Sequence, residues 1–227
     1  MSRPPLAWLP ICVALGVLAA AVIARACFGI PWLHVMGDPA GVTGWPFYLG
    51  FVSNAGAVLW TAGASIFFFS YCVHRANGGD PQWGRFLLCS GLFVALLGVD
   101  DLFMLHDQAI PNYTGVSQTL VVASYAGVAA LYVVRFAPLI AQTAYPVFVA
   151  AIALLGFSAG LDQIQDRFAF DFAGKGFWED AAKLLGIGTW LSYAVHTAAA
   201  LLSRRSTAAA QTAAATLPEL RLKPGSV

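Results

Sequence analysis

Phe86-Leu87-Leu88-Cys89-Ser90-Gly91-Leu92-Phe93-Val94-Ala95-Leu96-Leu97-Gly98-Val99 runs without a charge and is followed at once by Asp100-Asp101. Taken from 85 to 107, the segment exceeds the about 20 mostly apolar residues that a helix needs to cross a bilayer. Five further segments have the same character, at approximately 6–28, 47–73, 116–140, 144–165 and 177–203. They predict an all-α polytopic membrane helix bundle of about six transmembrane helices within residues 1–205. Turn chemistry fills the gaps: Gly37-Asp38-Pro39, Gly78-Gly79-Asp80-Pro81, Ile110-Pro111-Asn112 and Gly174 to Gly176. Residues 206–227, rich in alanine and threonine and reaching Lys223-Pro224-Gly225 near the end, predict a disordered cytoplasmic tail.

Composition supports that class. Of 227 residues 59% are hydrophobic and 10% charged, against about 25% charged in a soluble globular domain. A net charge of +1, with no basic run, gives no reason to expect nucleic acid as a partner. Cys12, Cys27, Cys72 and Cys89 stand singly, so no zinc knuckle or redox dithiol is indicated. The first apolar run is too long for a secretory signal, and Arg25 stands where small residues would be wanted, so it is expected to be a retained helix.

The distribution of Lys and Arg sets an expected orientation. With the N-terminus on one side, that side carries Arg3, Arg75, Arg85, Arg135, Arg204, Arg205, Arg221 and Lys223. The other carries Arg25, Arg167, Lys175 and Lys183. Both termini are therefore expected in the cytoplasm, in a multi-pass protein of the cell membrane, of the bacterial inner-membrane kind. The acids take the reverse distribution: Asp80 and Glu219 alone fall on the cytoplasmic side. Acidic residues contribute little to topology, so that asymmetry needs its own explanation.

Asp100 and Asp101 are followed by four apolar residues, which on a continuous helix places them roughly 6–10 Å inside the outer boundary. On such a helix Asp100, Met104 and Asp107 share a face and Asp101 is turned about 100° away. A charge at that depth is costly unless paired or hydrated. Asp162 and Asp166, four apart, stack on one face of the fifth helix. All four acids lie at helix C-termini, where the helix dipole disfavours negative charge, so a compensating cation is expected. It could be Arg25, Arg167, Lys183 or a bound metal. Glu179 and Asp180 begin the sixth helix at its favourable end, and Glu179 with Lys183 has the spacing of an i,i+4 pair.

Asp100, Asp101, His106, Asp162, Asp166, Glu179 and Asp180, with Lys183 as counter-charge, make up the candidate outer site. Carboxylates with one imidazole suit calcium, magnesium, manganese or non-haem iron. The same groups could relay protons or coordinate a transported ion. Leu-Leu-Gly recurs at 96–98, 154–156 and 184–186, each time on an acid-bearing helix, a faint sign of repeated hairpins.

An inner candidate is formed by Ser70, His74 and His196. His196 lies mid-span, roughly 12 Å from Arg204-Arg205 by helical rise. Ser70-x-x-x-His74 with a late histidine resembles part of the pattern of alkaline ceramidases, seven-helix membrane hydrolases. The resemblance implies a zinc held by a serine, an aspartate and three histidines, activating water against an amide. The chain departs from that pattern at Ala200, where the family's last helix has a second histidine, and at Arg85, where an aspartate is expected. A haem would need two facing histidines, and with Arg75 beside His74 and no second pair it is not expected.

Three functions are consistent with these residues. The first is a cation-binding or proton-relaying site that serves transport or metal-assisted chemistry on a lipid-like substrate. The second is a ceramidase-like metal hydrolase. The third is an accessory subunit whose acids form ion pairs and whose apolar flank meets membrane lipids, a membrane-protein partner or a second copy.

Overall fold

The computed structural model describes the backbone of residues 8–168 and 174–221; the side chains of Leu9, 165–168, Lys175 and 204–221 lie outside the description. The fold is all-helical, with no strand among the described residues. Among the described residues nine α-helices follow in order: α1 (Leu9–Phe28), α2 (Trp32–Met36), α3 (Pro39–Thr43), α4 (Phe51–Ala76), α5 (Pro81–Phe103), α6 (Ile110–Thr114), α7 (Gln118–Ile140), α8 (Tyr145–Phe168) and α9 (Lys175–Arg221). Six of them, α1, α4, α5, α7, α8 and α9, contain stretches long and apolar enough to cross a membrane. This is the architecture of a multi-pass membrane protein.

Local chemistry sets the ends. Asp80 caps α5, its carboxylate accepting from the Gln82 N–H at 2.8 Å, and Pro81 occupies the first turn, where a missing N–H costs nothing. The helix therefore starts at 81 rather than at the expected 85. Ser117 caps α7 in the same way through the Leu120 N–H. The expected loop around Asp38 contains the short helix α3, with Asp38 at its N-cap accepting from Gly41. Past the apolar span, which ends at Ser203, α9 continues to Arg221, and the alanines of 208–215 favour helix there. The sequence assigns that stretch to the tail; its last residues, 222–227, lie outside the described part.

The core is aromatic. Phe86 and Phe93 of α5 stack on Tyr132 of α7, and Trp190 of α9 lies 5.3 Å from Phe148 of α8, centroid to centroid. Helices come close where side chains are small, the usual device in membranes. A Cβ on Gly98 would lie 2.9 Å from Trp60 Cβ in α4, and one on Gly186 would lie 2.8 Å from Leu155 in α8. Gly156, the third member of the Leu-Leu-Gly set, faces open space, so the triplets have no common packing role.

The third span departs from expectation at its acidic end. Helix α5 stops at Phe103, and Met104 takes a left-handed conformation (φ 49°), unusual for a residue with a side chain. Residues Leu105–Ala109 then form a π-helical turn. Asp107 is thus off the α5 helix, and the expected shared face of Asp100, Met104 and Asp107 does not exist.

Candidate functional site: a polar cavity at the end of the bundle

Asp100 and Asp101 occupy the last turn of α5 and are both buried, at 5% and 9% exposure. Each has a different solution to its charge. The reversal at Met104 swings the π-turn back over the helix end, so that Asp100 Oδ1 accepts the His106 backbone N–H at 2.9 Å. His106 Nδ1 lies 2.5 Å from Oδ2 and donates, because an ionised carboxylate can only accept. Tyr125, on α7, donates its hydroxyl to Oδ1 at 2.9 Å. Three donors thus converge on one carboxylate at a helix C-terminus, where the dipole opposes it. The Asp100 hydrogen bond raises the pKa of His106 above its ordinary value, against burial, which lowers it; Asp107 reinforces the rise and Lys183 opposes it.

Asp101 turns the other way and forms an ion pair through Oδ1 with Lys183 Nζ of α9. Its second oxygen, Oδ2, is buried without a hydrogen-bond partner. That oxygen faces Gly56 of α4, where an added Cβ would come within 3.4 Å of it. A chamber of about 50 Å³ adjoins it, lined by Ser53, Gly56, Asp101, Asp180 and Lys183 among others. That is room for a water, which an orphaned carboxylate oxygen favours.

Both acids line a half-open cavity of about 320 Å³. Its wall also carries Ser53, His106, Asp107, Gln118, Ser158, Asp162, Glu179 and Lys183. Asp162, half-buried on α8, accepts from Gln118 Nε2 at 3.2 Å and from Gln163 Nε2 at 3.3 Å. Five carboxyl groups (Asp100, Asp101, Asp107, Asp162 and Glu179) therefore share one cavity with Lys183 and His106. Of the expected outer set, Asp100, Asp101, His106, Asp162, Glu179 and Lys183 are gathered here. Asp180 is exposed and lines the small chamber instead. The side chain of Asp166 lies outside the described residues.

Among the expected counter-charges, Lys183 serves Asp101, reaching across from α9 to α5. Arg25 is elsewhere, bonded to the Gly29 carbonyl at 3.3 Å. Tyr125, Gln118, Ser158 and Met104 are site residues that sequence reasoning misses. An amide at the start of an apolar span was the one visible signal for Gln118; Tyr125, two turns further in, had none. Among the described residues no three His, Cys, Asp or Glu side chains form a group that could hold a metal ion.

The inner candidate is arranged differently. Ser70 is buried and donates to the Ile66 carbonyl of its own helix at 2.7 Å. His74 Nε2 bonds the Asp80 carbonyl at 2.9 Å. Ser70 and His74 line a void of only about 10 Å³, and His196, exposed on α9, is not part of its wall.

Fold and site together define a helical bundle with six candidate membrane spans and an acid-rich cavity at one end. The chain belongs to the family described as Domain of unknown function (DUF8692), whose model matches residues 10–197. No curated protein and no solved structure matches the chain.

Proposed function

We propose that this is an integral membrane protein that takes up protons or small cations into an intramembrane carboxylate cavity from the outer face. The observation that carries the reading is the gathering of acids: among the described residues, five carboxyl groups line one cavity together with Lys183 and His106. Asp100 and Asp101 are the buried members, and Asp101 keeps one buried oxygen, Oδ2, without a hydrogen-bond partner, which is where an incoming proton or cation would be taken up. His106 is the proton-exchanging group. Asp100 fixes its Nδ1 and thereby leaves Nε2 as the titrating nitrogen, at the cavity wall and a quarter exposed. Asp101 and Lys183 form an exchangeable pair: a cation or proton arriving at Asp101 Oδ2 releases the ammonium. A divalent metal is the less supported occupant, because Lys183 already neutralises Asp101 and two side chains engage Asp100. Transport, with the Lys/Arg-rich side cytoplasmic, is the process such a site serves best.

The test is proton movement in proteoliposomes containing a pH-sensitive dye, with the membrane potential clamped by potassium and valinomycin. Wild type should acidify or alkalinise the lumen along an imposed pH or sodium gradient, and Asp100→Asn and Asp101→Asn should abolish this at equal reconstitution. A second reading is favoured by the Asp101–Lys183 and Asp100–His106 pairs themselves: an accessory subunit whose acids tie helices together. It prevails if wild type moves neither protons nor sodium while both variants lose thermal stability.

A further inference from the structure

Away from the carboxylate cavity, α5 and α7 flank an apolar groove of about 430 Å³. Its floor is the buried aromatic row Phe93, Tyr132 and Phe136, held in place where Ser90 meets the Tyr132 hydroxyl at 2.7 Å. Its rims are Leu92, Leu96, Val128 and Leu131, all exposed on the flank that a bilayer would cover. Arg85, in the second turn of α5, and Arg135, one turn before Pro138 in α7, both line the groove. Because these successive spans are antiparallel, both arginines stand at the end opposite Asp100. The Arg135 guanidinium carbon is 5.3 Å from the centre of the Phe136 ring, which holds it at the groove. Among the described residues neither arginine has a carboxylate within ion-pair distance.

The dimensions match one leaflet. From Arg85 to Leu96 the helical rise is about 16 Å, half of a hydrocarbon core of about 30 Å. We propose that this groove is a binding site for an anionic phospholipid of that leaflet, with one acyl chain along the aromatic floor and the phosphate between Arg85 and Arg135. Arginine suits the phosphate because its planar fork donates two parallel hydrogen bonds, and paired basic residues between helices recognise acidic headgroups. A zwitterionic phospholipid has the same chains, but its phosphate carries an ammonium partner of its own. Selectivity therefore resides in the arginine pair and retention in the groove.

Native mass spectrometry of the full chain in detergent, titrated with phosphatidylglycerol or phosphatidylcholine of identical chains, tests this. Wild type should retain one phosphatidylglycerol in clear preference to phosphatidylcholine. Arg85→Gln and Arg135→Gln should each weaken retention about fivefold, and the Lys variants, which keep the charge and lose the fork, should restore only part of it. Leu131→Trp, which fills the groove and leaves both arginines, should also displace the lipid. Equal retention of the two lipids overturns the proposal, as does a Leu131→Trp variant that binds phosphatidylglycerol like wild type, since headgroup attraction alone would then suffice. A lipid-free dimer that Leu131→Trp dissociates overturns it too, because the groove would belong to a second copy.

Discussion

His74 and His106 each stand six residues from the aspartate they bond, and the two pairs do opposite work. His74, at the end of α4, uses Nε2 on the backbone carbonyl of Asp80, while the Asp80 carboxylate caps α5. The pair is a clasp across the α4–α5 turn, and its carboxylate is occupied with starting a helix. His106 reaches the carboxylate itself, on a helix that has already ended, beside a cavity of about 320 Å³. What separates them is which end of α5 the acid occupies. At the N-terminus the dipole and free N–H groups satisfy an aspartate locally. At the C-terminus they cannot, and the donors must come from elsewhere in the chain.

Four substitutions would break or sharpen that contrast. The largest effect is expected from Lys183→Met, which strands Asp101 with neither oxygen paired. Stability in detergent should fall by about 2–4 kcal/mol, at the lower end because Lys183 is itself more than a third exposed. Asp101→Asn in the same background should recover much of the loss, and a melting series of the four proteins checks this; no recovery would mean that Lys183 acts through some other group.

Next comes the pH response of the Asp100–His106 pair. The His106 pKa is raised in the folded state, first by its hydrogen bond to Asp100. Its stabilisation is therefore complete below the ordinary histidine value of about 6.5 and is lost as pH rises through the higher folded value. Melting temperature measured between mildly acidic and alkaline pH should fall across that window in wild type. Asp100→Asn should start lower and lose this fall; a variant that keeps it would move the titration to another group.

The smallest effect belongs to the clasp. His74→Ala removes one hydrogen bond and some packing, worth about 1–2 kcal/mol, and should leave the pH response of His106 and any proton movement unchanged. Loss of proton movement in that variant would transfer function to the inner residues Ser70, His74 and His196.

The spans were legible in the sequence because each depends on length and apolarity, quantities that neighbours do not alter. Their ends were less so. The Asp80-Pro81 cap was a local signal, present in the residues, and it moves the start of α5 four residues earlier. The end at Met104 had no such signal: methionine favours right-handed helix, yet here it stands at φ 49°, in a reversal bonded to the Asp100 carboxylate through the His106 N–H. The candidate acids were visible because a carboxylate inside an apolar span is conspicuous. Their partners were not. Lys183 has its natural i,i+4 neighbour in Glu179, and its pairing with Asp101 depends on α9 packing near α5 through α4. Tyr125 is an ordinary aromatic in an apolar span until α7 is set beside the π-turn.

The left-handed residue at 104 also decides the fate of one backbone group. Had the helix continued, the His106 N–H would have been consumed on the Leu102 carbonyl, four residues back. Reversal frees it for Asp100 and brings the imidazole with it. The Asp100–His106 couple is therefore assembled by an act of termination: the handedness of a single residue determines whether this end of the molecule has an acid–base couple or an Asp100 without its imidazole.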